Sequence, residues 1–162
     1  MRYMAIDLGE RRTGIATGDA ITGLVQPRVV IEQSKGEELL RKLLVEINDF
    51  GPNRLVVGLP FNMDGTEGPA AKSVRAFVEQ LASRAQVPID YQDERLTSFA
   101  AEKHLDRSGR TRKEKKELRD ALAAAEILRD YLRRISGQDQ VPDGEPDDVD
   151  PDDVGRENGR GC

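Results

Sequence analysis

Residues Tyr3 to Ala16 read YMAIDLGERRTGIA, and this stretch decides the fold. Residues 2 to 8 read as a strand apolar on both faces, the pattern of a central position in a covered sheet, with a carboxylate, Asp7, at its end. Gly9 and Gly14 bracket a tight connection into a second strand, Gly14 to Thr17. A third strand is expected over Leu24 to Glu32, after the turn signals Gly18-Asp19 and Gly23. Pro27 within it predicts an edge position, because proline cannot donate to a ladder.

From Ser34 to Phe50, Leu40, Leu43, Leu44 and Ile47 recur at helical spacing, and Gly51-Pro52 ends the run. Leu55 to Leu59 is a short apolar strand. The loop FNMDGTEGP follows, with Asp64-Gly65 as its turn, then a helix carrying Val74, Phe77, Val78 and Leu81 to about Ala85. A fifth strand is predicted over Val87 to Tyr91, entered through Pro88. DERLTSF (Asp93 to Phe99) leads into a short helix ending near Asp106 and then a basic stretch. The last helix, from about Lys113 to Ile135, offers Leu118, Ala121, Leu122, Ala125, Leu128 and Leu132 as a core face. Alternation of strand and helix after Ser34 implies parallel pairing through right-handed crossovers. The expected class is therefore α/β: a mixed five-stranded sheet with helices on both faces, in the element order of the ribonuclease H-like architecture.

A length of 162 residues with 37% hydrophobic suits one domain with a real core, placed at residues 1–136. The net charge of -5 is unevenly distributed: Gly137 to Cys162 holds nine acidic residues against Arg156 and Arg160, leaving 23 basic and 21 acidic residues in the body. The body is mildly basic, so the acidic total does not argue against a nucleic-acid partner. Residues 137–162 have Pro, Gly and Asp but few apolar side chains, and a disordered acidic tail is expected there. The only cysteine is Cys162, so no intramolecular disulfide can form. No apolar run is long enough to span a bilayer and no leader pattern opens the chain, which together predict a cytoplasmic location.

Asp7 near the end of the first strand and Glu94 just after the fifth can emerge at one sheet edge. Asp120 lies at the border of the last helix's apolar face, in line with Ala124, Ile127 and Tyr131 at about 100° per residue. Each has an ordinary reading beside it: Asp7 as a turn former, Glu94 in a solvated loop, Asp120 paired with Lys116 on the helix surface. Their joint placement favours chemistry. Clustered carboxylates repel and need a counter-charge, and hard oxygen ligands suit Mg²⁺ or Mn²⁺. Two such ions, about 3.5–4 Å apart, stabilise the attacking and leaving oxygens of a phosphodiester displacement. The basic stretch Arg107, Arg110, Arg112, Lys113, Lys115, Lys116 and Arg119 immediately precedes Asp120 and reads as a phosphate-contacting surface. His104 has no Cys or His partners, which argues against zinc, and no Ser-His-Asp set is in view.

Four segments carry a resemblance: AIDLGERRTGIA, VVGLPFNMDGTEGPAA, DERLTSFAAE and RDALAAAEILRDYL. In that order they resemble the YqgF family of bacterial Holliday junction resolvase-like proteins, also described as pre-16S ribosomal RNA nucleases, from about Arg2 through Arg133. The resemblance implies a ribonuclease H-like fold and metal-dependent phosphodiester cleavage, with the acidic positions falling on Asp7, Glu94 and Asp120. It also implies that Arg12 and Arg95 face the substrate. Ser98 stands where the family commonly has a second Thr, and Glu126 interrupts a usually apolar segment. The expectation is an endonuclease acting on ribosomal RNA precursor. A DNA junction resolvase and a non-cleaving binder of structured nucleic acid stand as alternatives. An ATP-gripping phosphate loop at D-L-G-x-x-x-T-G is disfavoured, because that architecture generally needs two such domains.

Overall fold

The computed structural model describes residues 1–94 and 112–137, the second span without the side chains of residues 113–118. The elements run β1 (Arg2–Leu8), β2 (Thr13–Asp19), β3 (Val25–Ile31), α1 (Glu37–Phe50), β4 (Arg54–Leu59), α2 (Pro69–Ala85), β5 (Ile89–Asp93) and α3 (Arg112–Ile135). Five strands form one sheet in the order β3-β2-β1-β4-β5, which puts the doubly apolar β1 at its centre. The hairpin pairs β1/β2 and β2/β3 are antiparallel, and β1/β4 and β4/β5 are parallel. Pro27 sits on the edge strand β3 opposite Ala16, where the register with β2 shifts between Ile15 and Ala16.

Strand alternation divides the core into two layers. Met4, Ile6, Leu8, Ile15, Leu55, Val57 and Leu59 face α1 and α2, which bury Leu39, Leu40, Leu43, Ile47, Val74, Phe77, Val78 and Leu81 among them. Tyr3, Ala5, Ala16 and Val56 face the other way, beneath Ala124, Ala125, Ile127, Leu128 and Tyr131 of α3. The sheet surface under α3 is made largely of small residues, so the helix turns its own alanines toward it. This corrects the expected helix face. Leu122 and Leu132 are only partly buried, and the buried stripe is Ala121, Ala124, Ala125, Ile127, Leu128 and Tyr131. Asp120 thus heads the buried stripe instead of bordering it.

β5 begins at Ile89, two residues later than expected. Pro88 has no amide hydrogen to give to the ladder, and its carbonyl instead accepts from the Leu55 amide at 2.9 Å. The shift carries the β4/β5 ladder to Leu59 opposite Asp93, which delivers Glu94 directly past the strand end. Far along α3, the Tyr131 hydroxyl donates to the Asp90 carboxylate, which also accepts from Arg54 Nη1 at 2.9 Å. The helix is thereby tied to β5 as well as packed on the sheet. The short helix ending near Asp106, His104, Ser98 and the acidic tail from residue 138 lie outside the described residues. Among the described residues no helix is long and apolar enough to cross a membrane.

Candidate active site

β1, β4 and β5 are parallel and end at the same sheet edge, where the turn into β2 and the end of β3 also lie. The turn is closed by the Gly9 amide, which donates to the Arg12 carbonyl at 2.9 Å. Counting along β1, Asp7 shares its face with Tyr3 and Ala5, the face that α3 covers. Asp90 and Gln92 likewise share one face of β5, Asp90 reaches Tyr131 of α3, and Glu94, just past the strand end, packs beside Gly58 of β4 and Ile127 of α3. Asp7, Glu94 and Asp120 are therefore on one side of one sheet edge.

Two glycines make this convergence sterically possible. Gly14 lies opposite Asp7 in the ladder, and a Cβ there would fall 2.0 Å from the Asp120 carbonyl oxygen and 2.6 Å from its carbonyl carbon. The α3 backbone thus rests directly on β2 at the residue that must be brought in. At Gly58 of β4 a Cβ would fall 2.3 Å from Glu94 Oε1 and 2.6 Å from Ile127 Cδ1, so the Glu94 carboxyl occupies space that only glycine leaves open. Neither role was legible as a site feature. The available signal was a glycine inside a strand, which marks close approach of another group.

The electrostatics are those of buried carboxyls facing one another. Asp7 retains some accessible surface, but its carboxyl lies deep among protein atoms. Burial pushes its pKa up, and a hydrogen bond with Glu94 partly offsets this. Glu94 is pushed up to about 9, first by burial and then by the charge of Asp7, while Lys35 pulls it down. Burial and mutual repulsion thus drive both carboxyls toward protonation. Asp120 is raised by burial and by Asp7, and Arg12 opposes the rise. Arg12 Nε stands 3.0 Å from Asp120 Oδ2, an ion-pair contact. Asp120 is thus paired with Arg12, not with a surface lysine among the described side chains.

The donor set fits a hard divalent cation in kind: two facing carboxylates, both driven toward protonation, with a third on the same sheet face. Among the described residues, however, no three acidic side chains are gathered tightly enough to hold an ion together. Asp120 is the one drawn aside, toward Arg12. A polar hollow of about 240 Å³ opens beside this pair, lined by Gly9, Glu10, Arg11, Arg12 and Asp120. A larger hollow, of about 500 Å³, lies at the opposite sheet edge around Gly23 and Leu132, far from any carboxylate of the cluster. Chemistry, not size, locates the site.

Of the other basic residues singled out in the sequence, Arg112 is exposed at the first residue of α3. Lys113, Lys115 and Lys116 follow on its opening turns, but their side chains lie outside the described set, as do residues Arg95 and Arg110. Two groups were missed. Thr13 is fully buried and its Oγ1 has no hydrogen-bond partner among the described residues; the same holds for the buried Oε1 of Gln92, two residues before Glu94. Glu126, the departure within the last motif, is accommodated by Arg129 at 2.6 Å.

The sequence model described as RuvX, Holliday junction resolvase, matches residues 1–134. A protein of Anaeromyxobacter sp. named "Putative pre-16S rRNA nuclease" is 39% identical over 132 residues, covering 82% of this chain and 96% of its own length. A protein of the same name from Streptococcus suis is 38% identical over 137 residues, 83% of this chain and 99% of its own. Among solved structures, Thermus thermophilus RuvC in complex with Holliday junction substrate superposes with a TM-score of 0.53 at 19% identity, over 85% of this chain and 96% of that one. The fowlpox virus resolvase in complex with Holliday junction DNA gives 0.54 at 9% identity, over 83% and 99%. These two share the fold.

Proposed function

The chain belongs to the RuvX family, also called YqgF, and from that membership we propose that it hydrolyses phosphodiester bonds in precursor 16S ribosomal RNA, using a divalent metal ion. The observation that carries the reading is the placement of Asp7, Glu94 and Asp120 on one face of one sheet edge, with Asp7 and Glu94 close enough that each shifts the other's ionisation. A ribonuclease H-like nuclease fold supports a hydrolase, and acidic side chains buried together at a strand end have no structural use that a neutral residue would not serve better.

Asp7 and Glu94 would hold Mg²⁺ or Mn²⁺ with Asp120 as third ligand, and the chemistry such an ion supplies is stabilisation of the oxygens entering and leaving phosphorus. The rest falls to the chain's own residues. Gly58 leaves the space that the Glu94 carboxyl fills beside Ile127. Arg12 compensates Asp120 until a phosphate offers it a second anion. The exposed Arg112 and the lysines that follow it supply sequence-independent attraction for the nucleic-acid backbone.

Precursor ribosomal RNA is placed ahead of DNA because the relatives that match at 38–39% identity over nearly their whole length carry that name. The family's description favours a second reading, cleavage of a four-way DNA junction. A side-by-side assay on a small-subunit ribosomal RNA precursor and a four-way junction, across Mg²⁺ and Mn²⁺ titrations, separates them. Asp7→Asn should lower cleavage by more than the roughly 10–100-fold that loss of a supporting partner costs at a metal site, while binding persists. Unchanged cleavage in that variant removes Asp7 from the chemistry. Binding of both substrates without cutting would establish a structure-specific binder instead.

A further inference from the structure

Lys35 stands at this edge outside the family motifs. It follows β3, whose last residue, Ile31, lies opposite Thr13 at the start of β2, so the chain leaves the sheet beside the turn that carries Arg12. The side chain is half-buried, and its Nζ lies 3.5 Å from the Gly9 carbonyl, two residues beyond Asp7. That is the outer limit of a hydrogen bond, and it engages one of three donors. Arg12, the cation on the facing turn, is by contrast paired with a carboxylate, Asp120. Among the described residues no carboxylate lies within ion-pair distance of Lys35. Its field nevertheless reaches the cluster, where it works against the protonation of Glu94.

A half-buried ammonium held at an acidic cluster by a single long contact to a backbone carbonyl is poorly explained as a structural tie. We propose that Lys35 is a substrate-contacting residue of the active site, its ammonium meeting a backbone phosphate oxygen next to the scissile bond from the β3 side while Arg12 approaches from the β1–β2 turn. The assignment rests on the nuclease reading. It gives the site two cations on different elements, so that a phosphate entering between them is oriented as well as attracted. Lysine suits this place because a compact point charge on a flexible stem can follow the phosphate from the resting contact to the bound one.

The test uses the full chain with Lys35→Met and Lys35→Arg, each built on Asp7→Asn so that binding is read without cutting. The probes are the small-subunit ribosomal RNA precursor and the four-way DNA junction, titrated from 50 to 200 mM salt. One phosphate contact contributes roughly 0.7–0.9 to the slope of log K against log salt. Lys35→Met should reduce that slope by about this amount on the probe that the parent binds, and Lys35→Arg should keep it. In the cleaving background Lys35→Met should also lower kcat/KM, with partial recovery in Lys35→Arg. A Lys35→Met slope equal to the parent's overturns the assignment, and a shifted melting midpoint accompanying that equal slope would mark Lys35 as structural only. If the Asp7→Asn parent binds neither probe, the nuclease reading itself falls and takes this assignment with it.

Discussion

Glu94 is the residue whose ionisation most directly reports the state of the site. Its pKa in the folded chain is pushed up to about 9 from an ordinary 4.5 by burial and by Asp7. Between those two values the folded protein keeps a proton that the unfolded chain has released, so stability falls as pH rises. The contribution is fully present below about pH 4.5 and is lost on the way to pH 9. Chelator-treated protein should therefore melt lower at pH 9 than at pH 6, and Glu94→Gln, which holds the neutral form permanently, should flatten that difference. Added Mg²⁺ should raise the midpoint more at pH 9 than at pH 6, because an ion binds the ionised pair. Parallel pH profiles for the two proteins would show that Glu94 is not the group being titrated. The neighbouring Asp7 shifts in the same direction and reinforces the trend.

Helix α3 is the element on which the candidate site depends, because among the three clustered carboxylates Asp120 is the one brought to the sheet edge by a helix. Its seat is Gly14, where added side-chain volume would meet the helix backbone at Asp120 and not a movable side-chain end. Gly14→Ala must lift the helix or shift β2, at a cost of about 1–3 kcal/mol or more in a packed interior. Cleavage should suffer beyond what the lost stability accounts for, since Asp120 is displaced from Asp7. Thermal melting and the cleavage rate of the folded fraction check the two parts separately. A variant that loses stability but retains full activity per folded molecule would mean that Asp120 need not sit where Gly14 puts it. The opposite end of α3 has its own anchor in Tyr131, Asp90 and Arg54, so a shift at Asp120 would pivot the helix more than release it.

At the scale of the whole chain, charge is segregated. A body with 23 basic and 21 acidic residues precedes 26 residues with nine acidic and two basic. The tail from residue 138 lies outside the described residues, and its charge alone bears on binding. An acidic segment tethered to the proposed phosphate-contacting surface would compete with nucleic acid for the same cations. Truncation after Gly137 should therefore tighten nucleic-acid binding at low salt. The gain should fade toward 1 M, where the screening length falls from about 10 Å at 0.1 M to about 3 Å. Equal affinities of the full and truncated chains at low salt would rule out that competition.

Much of this was legible in one dimension because it rests on local patterns. A doubly apolar run makes β1 central, Pro27 sends β3 to the edge, and helical spacing locates α1, α2 and α3. Asp7, Glu94 and Asp120 could be named as candidates because strand ends and helix phase are themselves local. Periodicity misjudged the buried stripe of α3, since it weighs residues by apolar size, whereas the sheet beneath offers alanine and glycine and selects the small side of the helix. Only the tertiary structure decided that Gly14 and Gly58 are the spaces into which Asp120 and Glu94 are set, that Arg12 is paired with Asp120, and that Lys35 reaches the same edge from β3. The physical reason is that each of these depends on distances between segments far apart in the chain. Local preference specifies the elements, and close packing between them specifies which side chains meet.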